Sequence, residues 1–305
     1  MKEKLEEIAR ALRRTVPSDL SAVIKELSRS AWPEMVQRWS RLTPTGFPVE
    51  LTITAADPIL RWTAEIAGPE IGEAHRLGLV AVRLSSAGQP VPAPLLDAIG
   101  AAQRGNDLCY GAWLGGRTVD DAPSRFKLYA EIPSGVSPQD YPLPPTLAQA
   151  MARAPRGTLL RMIGVEPALG RIEIYLRLPV FESDDLRPLL NAAGHPHGLD
   201  ALEGSLPDGM RRLAGRRIGI SLASTAPQSV EVALFASARS LFPAAPDLLC
   251  QLIPALTTLP ETLARPTLVT MRLNAEKDHV SFAVGITVSP EADPSRSQLA
   301  PAHRS

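Results

Sequence analysis

GRIEIYLRL, residues 170–178, decides the fold. Read as a strand, it sends Arg171, Glu173, Tyr175 and Arg177 to one face and Ile172, Ile174, Leu176 and Leu178 to the other, the period-2 pattern of a half-buried sheet. The segment before it, TLLRMIGVE (158–166), alternates in the same way, and PALG between them is turn chemistry, so the two read as an antiparallel hairpin. Working outward, eight further stretches follow the rule: PVELTITA (48–55), ILRWTAEIA (59–67), LCYGAWLGG (108–116), SRFKLYAEI (124–132), RRIGISLAS (216–224), SVEVALFAS (229–237), TLVTMRLN (267–274) and HVSFAVGITV (279–288). Turns containing AADP, DDAP, TAP and AEKD pair them into hairpins. Helical candidates separate the hairpins at 91–103, 144–153, 184–193 with 197–213, and 245–264. Two amphipathic helices precede the first hairpin, at 3–14 and 19–31, with Leu5, Ile8, Ala9 and Leu12 on one face and Ser18 as the cap of the second. The plan is a hairpin-plus-helix unit repeated about five times.

One face of every strand is apolar and must pack on the helices, while the other carries charge, as in Glu50, Thr52 and Thr54, or Lys127 and Tyr129. That polar face either looks at solvent in an open α+β sheet or lines the interior of a closed one. Ten antiparallel strands favour closure, because an open twisted sheet of that size curls or splits and closure removes exposed edges. The expected fold is therefore α/β, a ten-stranded antiparallel β-barrel surrounded by a ring of α-helices, wide enough to hold a ligand chamber. It would form one domain over residues 1–288, with residues 1–45 supplying helices that pack on the barrel and residues 289–305 a disordered tail.

Composition narrows the partners. The 305 residues carry 32 Lys and Arg against 32 Asp and Glu, which removes the basic footprint of a nucleic-acid or anionic-membrane binder. No apolar run approaches the ~20 residues of a membrane span, and the charged N-terminus is unlike a signal peptide, so a cytoplasmic location is expected. Cys109 and Cys250 sit in apolar stretches and read as core thiols without redox or metal roles. His195 and His197 in GHPHG read as a prolyl turn rather than metal ligands, and Gly115 and Gly116 as a strand end rather than a phosphate loop.

Four segments resemble the ABBA aromatic prenyltransferases, in particular the dimethylallyltryptophan synthase branch. PVELTITAADPILRWTAE is similar to that family's opening hairpin, which implies that Glu50 grips an aromatic acceptor and Arg61 meets a diphosphate. RFKLYAEIP is similar to its Lys-x-Tyr strand, implying Lys127 as a diphosphate ligand and Tyr129 as a shield for an allylic cation. RIEIYLRLP resembles its Arg-x-Lys-x-Tyr strand and gives Arg171 and Tyr175 the same two roles, with Glu173 where the family has Lys. The last hairpin implies Arg272 as a further diphosphate ligand. The family's shielding Tyr is missing there; Phe282 has outward parity.

The chemistry of these residue types fits. A diphosphate leaving group gains charge as its C–O bond breaks, and Arg61, Lys127, Arg171 with Arg272 or Arg161 would offset it without a metal. Tyr129 and Tyr175 would offer π faces to the cation, about 0.5–2 kcal/mol each. Glu50 would accept a ring N–H or O–H and take the proton lost on rearomatisation. No Asp-rich cluster suggests magnesium, so no metal or other cofactor is expected beyond the allylic diphosphate co-substrate. Glu173 and Glu231 depart from this scheme: Glu173 would repel a diphosphate unless paired to Arg171, Arg177 or Lys127. The expected function is metal-independent transfer of an isoprenoid to an indole, phenol or other nucleophile, a peptide side chain included, in secondary metabolism. The rivals are a non-catalytic barrel binding a small cationic or aromatic ligand, and an open-sheet interaction protein.

Overall fold

The computed structural model describes residues 1–28, 39–55, 60–117, 124–226, 229–243, 246–274 and 279–290. Ten strands form where the alternation placed them: β1 (Val49–Thr54), β2 (Arg61–Glu65), β3 (Ala112–Arg117), β4 (Arg125–Glu131), β5 (Leu159–Glu166), β6 (Arg171–Leu178), β7 (Ile218–Ala226), β8 (Ser229–Ser237), β9 (Ala264–Asn274) and β10 (His279–Val288). Every strand is antiparallel to its sequence neighbours, and β1 pairs with β10, so the sheet closes into a barrel. Closure excludes the open-sheet alternative. The turn from β5 to β6 is a 3-10 turn, Pro167–Leu169, ended by Gly170 at φ 58°, a left-handed conformation that glycine adopts without steric cost.

Nine α-helices among the described residues surround the barrel: α1 (Lys2–Ala11), α2 (Ser18–Leu27), α3 (Glu73–Ser86), α4 (Ala93–Gln103), α5 (Pro145–Met151), α6 (Ser183–Ala192), α7 (Gly198–Ser205), α8 (Ala238–Leu241) and α9 (Pro246–Leu252). Their apolar stripes cover the outer faces of the strands. Leu5, Ile8, Ala9 and Leu12 are buried, as are Leu20, Val23 and Ile24 of α2. Trp62 and Phe126 meet edge to face beneath this layer, 6.4 Å between ring centres. Each fully buried Leu or Ile contributes about 1.5–3 kcal/mol, so the shell between helices and barrel is the main source of stability.

Several details differ from expectation. Helix α3, the longest at 14 residues, was not foreseen, because its buried face mixes Arg76 with Leu77, Val80 and Leu84 while Leu79 and Val82 are exposed. Ser18 is the first residue of α2, behind Pro17, and makes no capping bond. The expected helix over 245–264 stops at Leu252, ahead of Pro254, and Ala264 already belongs to β9; that over 197–213 stops at Ser205, ahead of Pro207. Strand β3 starts at Ala112 rather than at residue 108. There the Glu131 carboxylate accepts the N–H groups of Cys109, Tyr110 and Gly111 at 2.7–2.9 Å. Cys109 is exposed and is not a core thiol, whereas Cys250 is half-buried and packs against the core. Residues 291–305 of the expected tail, residues 29–38 and the DDAP and AEKD turns lie outside the described residues.

Candidate active site in the barrel lumen

The connectivity gives the barrel two unlike rims. The strand ends that lead from the first to the second member of each hairpin pair lie at one end, and those that lead to the helices lie at the other. Position along each strand therefore fixes depth. Arg61, Arg117, Arg125 and Arg171 are the strand ends at the hairpin rim, and Glu231 and Arg272 lie two residues into theirs. Lys127, Glu173, Tyr129 and Tyr175 come next. Glu50, the second residue of β1, and Phe235 lie toward the helical rim.

In the middle of the lumen Lys127 donates from Nζ to Glu173 Oε2 and to the Tyr175 hydroxyl, the latter at 2.8 Å. The same ammonium stands 4.7 Å from the centre of the Tyr129 ring and 5.3 Å from that of Tyr175. The two rings are 5.9 Å apart, and Phe235 meets Tyr175 edge to face at 6.0 Å. This reach across β5 depends on an absent side chain. Gly164 lies between Tyr129 and Glu173 in register, and a Cβ there would come within 2.7 Å of Lys127 Cε. Gly115 likewise sits under Tyr129 and Gly219 under Phe235.

The charges form a chain from interior to rim. Arg171 lies 3.7 Å from Glu173 and donates from Nη1 to Glu231 at 2.5 Å; the other oxygen of Glu231 lies 3.8 Å from Arg272. Burial alone would raise the Glu173 carboxyl, but Lys127 and Arg171, with Ser221 as a further hydrogen-bond partner, hold it down at about 2. Burial opposes the Lys127 charge as well, yet the Glu173 carboxylate keeps this ammonium above the ordinary lysine range. The Tyr175 hydroxyl is pushed well above its usual value by burial and by Glu173, so it stays protonated. Glu173 is thus paired with Lys127 and Arg171; Arg177 is exposed and takes no part.

Glu50 is the other type of carboxyl. It keeps part of its surface open to the lumen, but burial pushes its pKa up to about 7, against the hydrogen bond it accepts from Thr267. Gly285 leaves room for both, since a Cβ there would sit 2.8 Å from Glu50 Cδ.

Of the site residues expected from sequence, Glu50, Arg61, Lys127, Tyr129, Arg171, Glu173, Tyr175, Glu231 and Arg272 all have lumen parity. Arg161 does not join them. Strand β5 carries it to the helical rim, beside a register irregularity between Leu160 and Met162, where it donates to Ser134 at 2.9 Å. Phe282 faces outward and packs on the apolar shell, opposite Met271. Buried His195 faces the Val230 carbonyl at 3.0 Å, and no group of three or more His, Cys, Asp and Glu among the described residues is placed to hold a metal. Sequence reasoning missed Phe235, Arg117, Arg125 and Trp113. Strand parity could have found all four, since Phe235 shares its face with Glu231, Arg125 with Lys127, and Arg117 and Trp113 with Gly115. Thr267 was not findable that way, because the β9–β10 register shifts between Val284 and Ile286.

A closed ten-stranded antiparallel barrel inside a helical ring, with a charged and aromatic lumen, is the fold of the ABBA-type aromatic prenyltransferases, and this chain has that fold. Among solved structures it is similar to the 6-dimethylallyltryptophan synthase of Micromonospora olivasterospora in complex with DMASPP and Trp (TM-score 0.64, 19% identity, 94% of this chain and 96% of that one). It is also similar to the 5-dimethylallyltryptophan synthase of Streptomyces coelicolor (0.66, 13%, 95% and 97%) and to AnaPT of Neosartorya fischeri (0.58, 14%, 88% and 85%). The sequence matches no protein-family model and no curated protein.

Proposed function

We propose that the protein is a metal-independent aromatic prenyltransferase, moving an allylic isoprenoid from its diphosphate to an indole, a phenol or another nucleophile. The observation that carries this reading is the order of chemistry along the barrel: cations at the hairpin rim, an aromatic layer of Tyr129, Tyr175 and Phe235, then Glu50 with a pKa of about 7. A diphosphate held among the cations directs its C1 inward. Breaking the C–O bond sends the electron pair to the diphosphate, where guanidinium and ammonium groups offset the growing charge. The allylic cation lies against the tyrosine faces, away from water. The acceptor's ring carbon or nitrogen forms the new bond, and its displaced proton passes to Glu50, which at neutral pH is poised to accept it. The two dimethylallyltryptophan synthases above, one of them in complex with DMASPP and Trp, support an amino-acid-sized aromatic acceptor. Cytoplasmic action in secondary metabolism fits such chemistry.

A second reading keeps the barrel as a binding protein for a small cationic or aromatic ligand. It is favoured by one feature, the carboxylates that already occupy Lys127 and Arg171. Incubation with dimethylallyl diphosphate and a panel of tryptophan, tyrosine and indole, with EDTA present, separates the two. Pyrophosphate release with a prenylated acceptor in the mass spectrum is the expected result. Saturable acceptor binding without turnover of any allylic diphosphate would replace the enzyme reading with the second.

A further inference from the structure

At the helical rim the lumen face carries an aromatic plate that the chemistry above does not use. Trp113 stands directly opposite Tyr129 in the β3–β4 register and opposite Glu65 in the β2–β3 register, so it shares the lumen face with Tyr129. Its indole N–H donates to Glu65 at 3.1 Å, and Glu65 is itself fixed by Arg76 and Ser40. Tyr110 covers one face of the indole, 3.8 Å between ring centres and 13° between planes. Trp113 is only half-buried, and among the described residues no other ring packs on it, which leaves surface for a second ring. Glu50 and Gly115 both stand opposite Thr63, and Trp113 lies two residues from Gly115 toward the helical rim, about 7 Å along the strand. Glu50 and the braced indole therefore face the same part of the lumen.

The neighbouring rim is cationic. Glu65 and Glu131, the carboxylates beside the plate, are both buried and engaged, Glu65 by Arg76 and Glu131 by three backbone N–H groups. Arg161 accepts the Tyr110 hydroxyl on its carbonyl at 3.5 Å, which ties it to the stack. Arg177 lies two residues beyond Tyr175 on the lumen face, opposite Gly219, and Arg217 precedes Gly219 by two residues. Both are exposed and form no ion pair among the described residues. Partial desolvation, then Arg217 and Arg161, lower the Arg177 pKa, as expected for cations within range of one another. A mouth of this sign attracts anions and repels ammonium groups.

We propose that Trp113, backed by Tyr110, is the stacking platform of the acceptor, and that the acceptor is an aromatic acid rather than an aromatic amine. This inference rests on the acceptor reading above and narrows it. A ring laid on Trp113 lies on the side of Glu50, and a substituent that leaves the lumen there meets the field of Arg161, Arg177 and Arg217. The indole is already oriented by Glu65 and Tyr110, so a ligand stacking on it does not have to order it first.

The test is calorimetric titration of the full chain with two acids, indole-3-propionate and 3-(4-hydroxyphenyl)propionate, and two amines, tryptamine and tyramine, with dimethylallyl diphosphate titrated separately. At least one acid is expected to bind about tenfold or more tightly than its amine. Trp113→Leu should weaken that acid by about tenfold, and Trp113→Phe, which keeps a ring, by less than about threefold. Tyr110→Leu, which removes only the brace, should fall between. The double variant Arg177→Gln/Arg217→Gln should narrow the preference for acid over amine to about threefold or less. Each variant should hold dimethylallyl diphosphate affinity within about threefold, which a general loss of packing would not allow, and thermal unfolding checks that each is folded. Unchanged acid affinity in Trp113→Leu, equal affinity for acids and amines, or no binding of either acid would overturn the seat; prenyl transfer that persists in that case leaves the prenyltransferase reading standing. Acid binding that requires Trp113, without turnover of any allylic diphosphate, would uphold the seat and remove the enzyme reading.

Discussion

The Glu65–Arg76 pair at the helical rim and the Lys127–Glu173 pair in the lumen both join a carboxylate to a cation inside one barrel, yet their surroundings differ. Arg76 and Glu65 have side chains 2% and 0% exposed. Arg76 donates to Glu65 at 2.6 Å and to the carbonyls of Gly68 and Ile71 at 3.2 Å, and stacks 4.9 Å from the Trp39 ring. Glu65 also accepts from Ser40 at 2.5 Å and from the Trp113 indole at 3.1 Å. Multiple hydrogen bonds hold each partner in a single arrangement, and the pair fastens α3 to the end of β2. The lumen pair belongs to a chain whose exposure grows outward, to 38% at Glu231 and 42% at Arg272. It borders the half-buried rings of Tyr129 and Tyr175 instead of packed backbone. A closed network holds structure, whereas one that opens toward a chamber keeps charges available to a ligand.

The sharpest way to break this comparison is Arg76→Ala, which leaves Glu65 buried without its cation and is expected to cost about 3–5 kcal/mol in urea unfolding. Lys127→Met should cost less, about 1–3 kcal/mol, because Arg171 and Ser221 remain beside Glu173. A reversed order would mean that the lumen pair is the structural one. Gly164→Ala pushes a methyl into the space Lys127 uses; about 1–2 kcal/mol of overpacking is expected, with a larger loss of prenyl transfer than of stability.

Glu50 gives a pH signature. Its pKa of about 7 lies above the ordinary 4.5, so the folded protein binds more protons than the unfolded chain between those values. Stability from this group falls as pH rises through that window and is level above it. Transfer should rise over the same range as the base ionises, with a midpoint near 7. Glu50→Gln should flatten both profiles; a rising limb that persists would assign it to another group. Glu231→Gln is the smallest effect, below about 1 kcal/mol, since its side chain is partly solvated.

Parity along the strands made the barrel and most of its lumen legible. RIEIYLRL showed that Arg171, Glu173 and Tyr175 share a face, and nine other segments behaved alike. Helix α3 and the exposed Cys109 were illegible, because a buried Arg76 and a carboxylate capping backbone N–H groups depend on partners distant in sequence.

By itself the sequence determined ten strands, their apolar outer faces and the polar set that must face inward, since period-2 alternation is a local property of the chain. Only the tertiary structure decided which of those inward charges meet. Lys127 reaches Glu173 over Gly164, and Arg171 reaches Glu231 over β7, where Ala223 stands opposite both carboxylates in register. Such contacts follow from closure, register and the small residues between strands, and none of these is written in the period of any one segment.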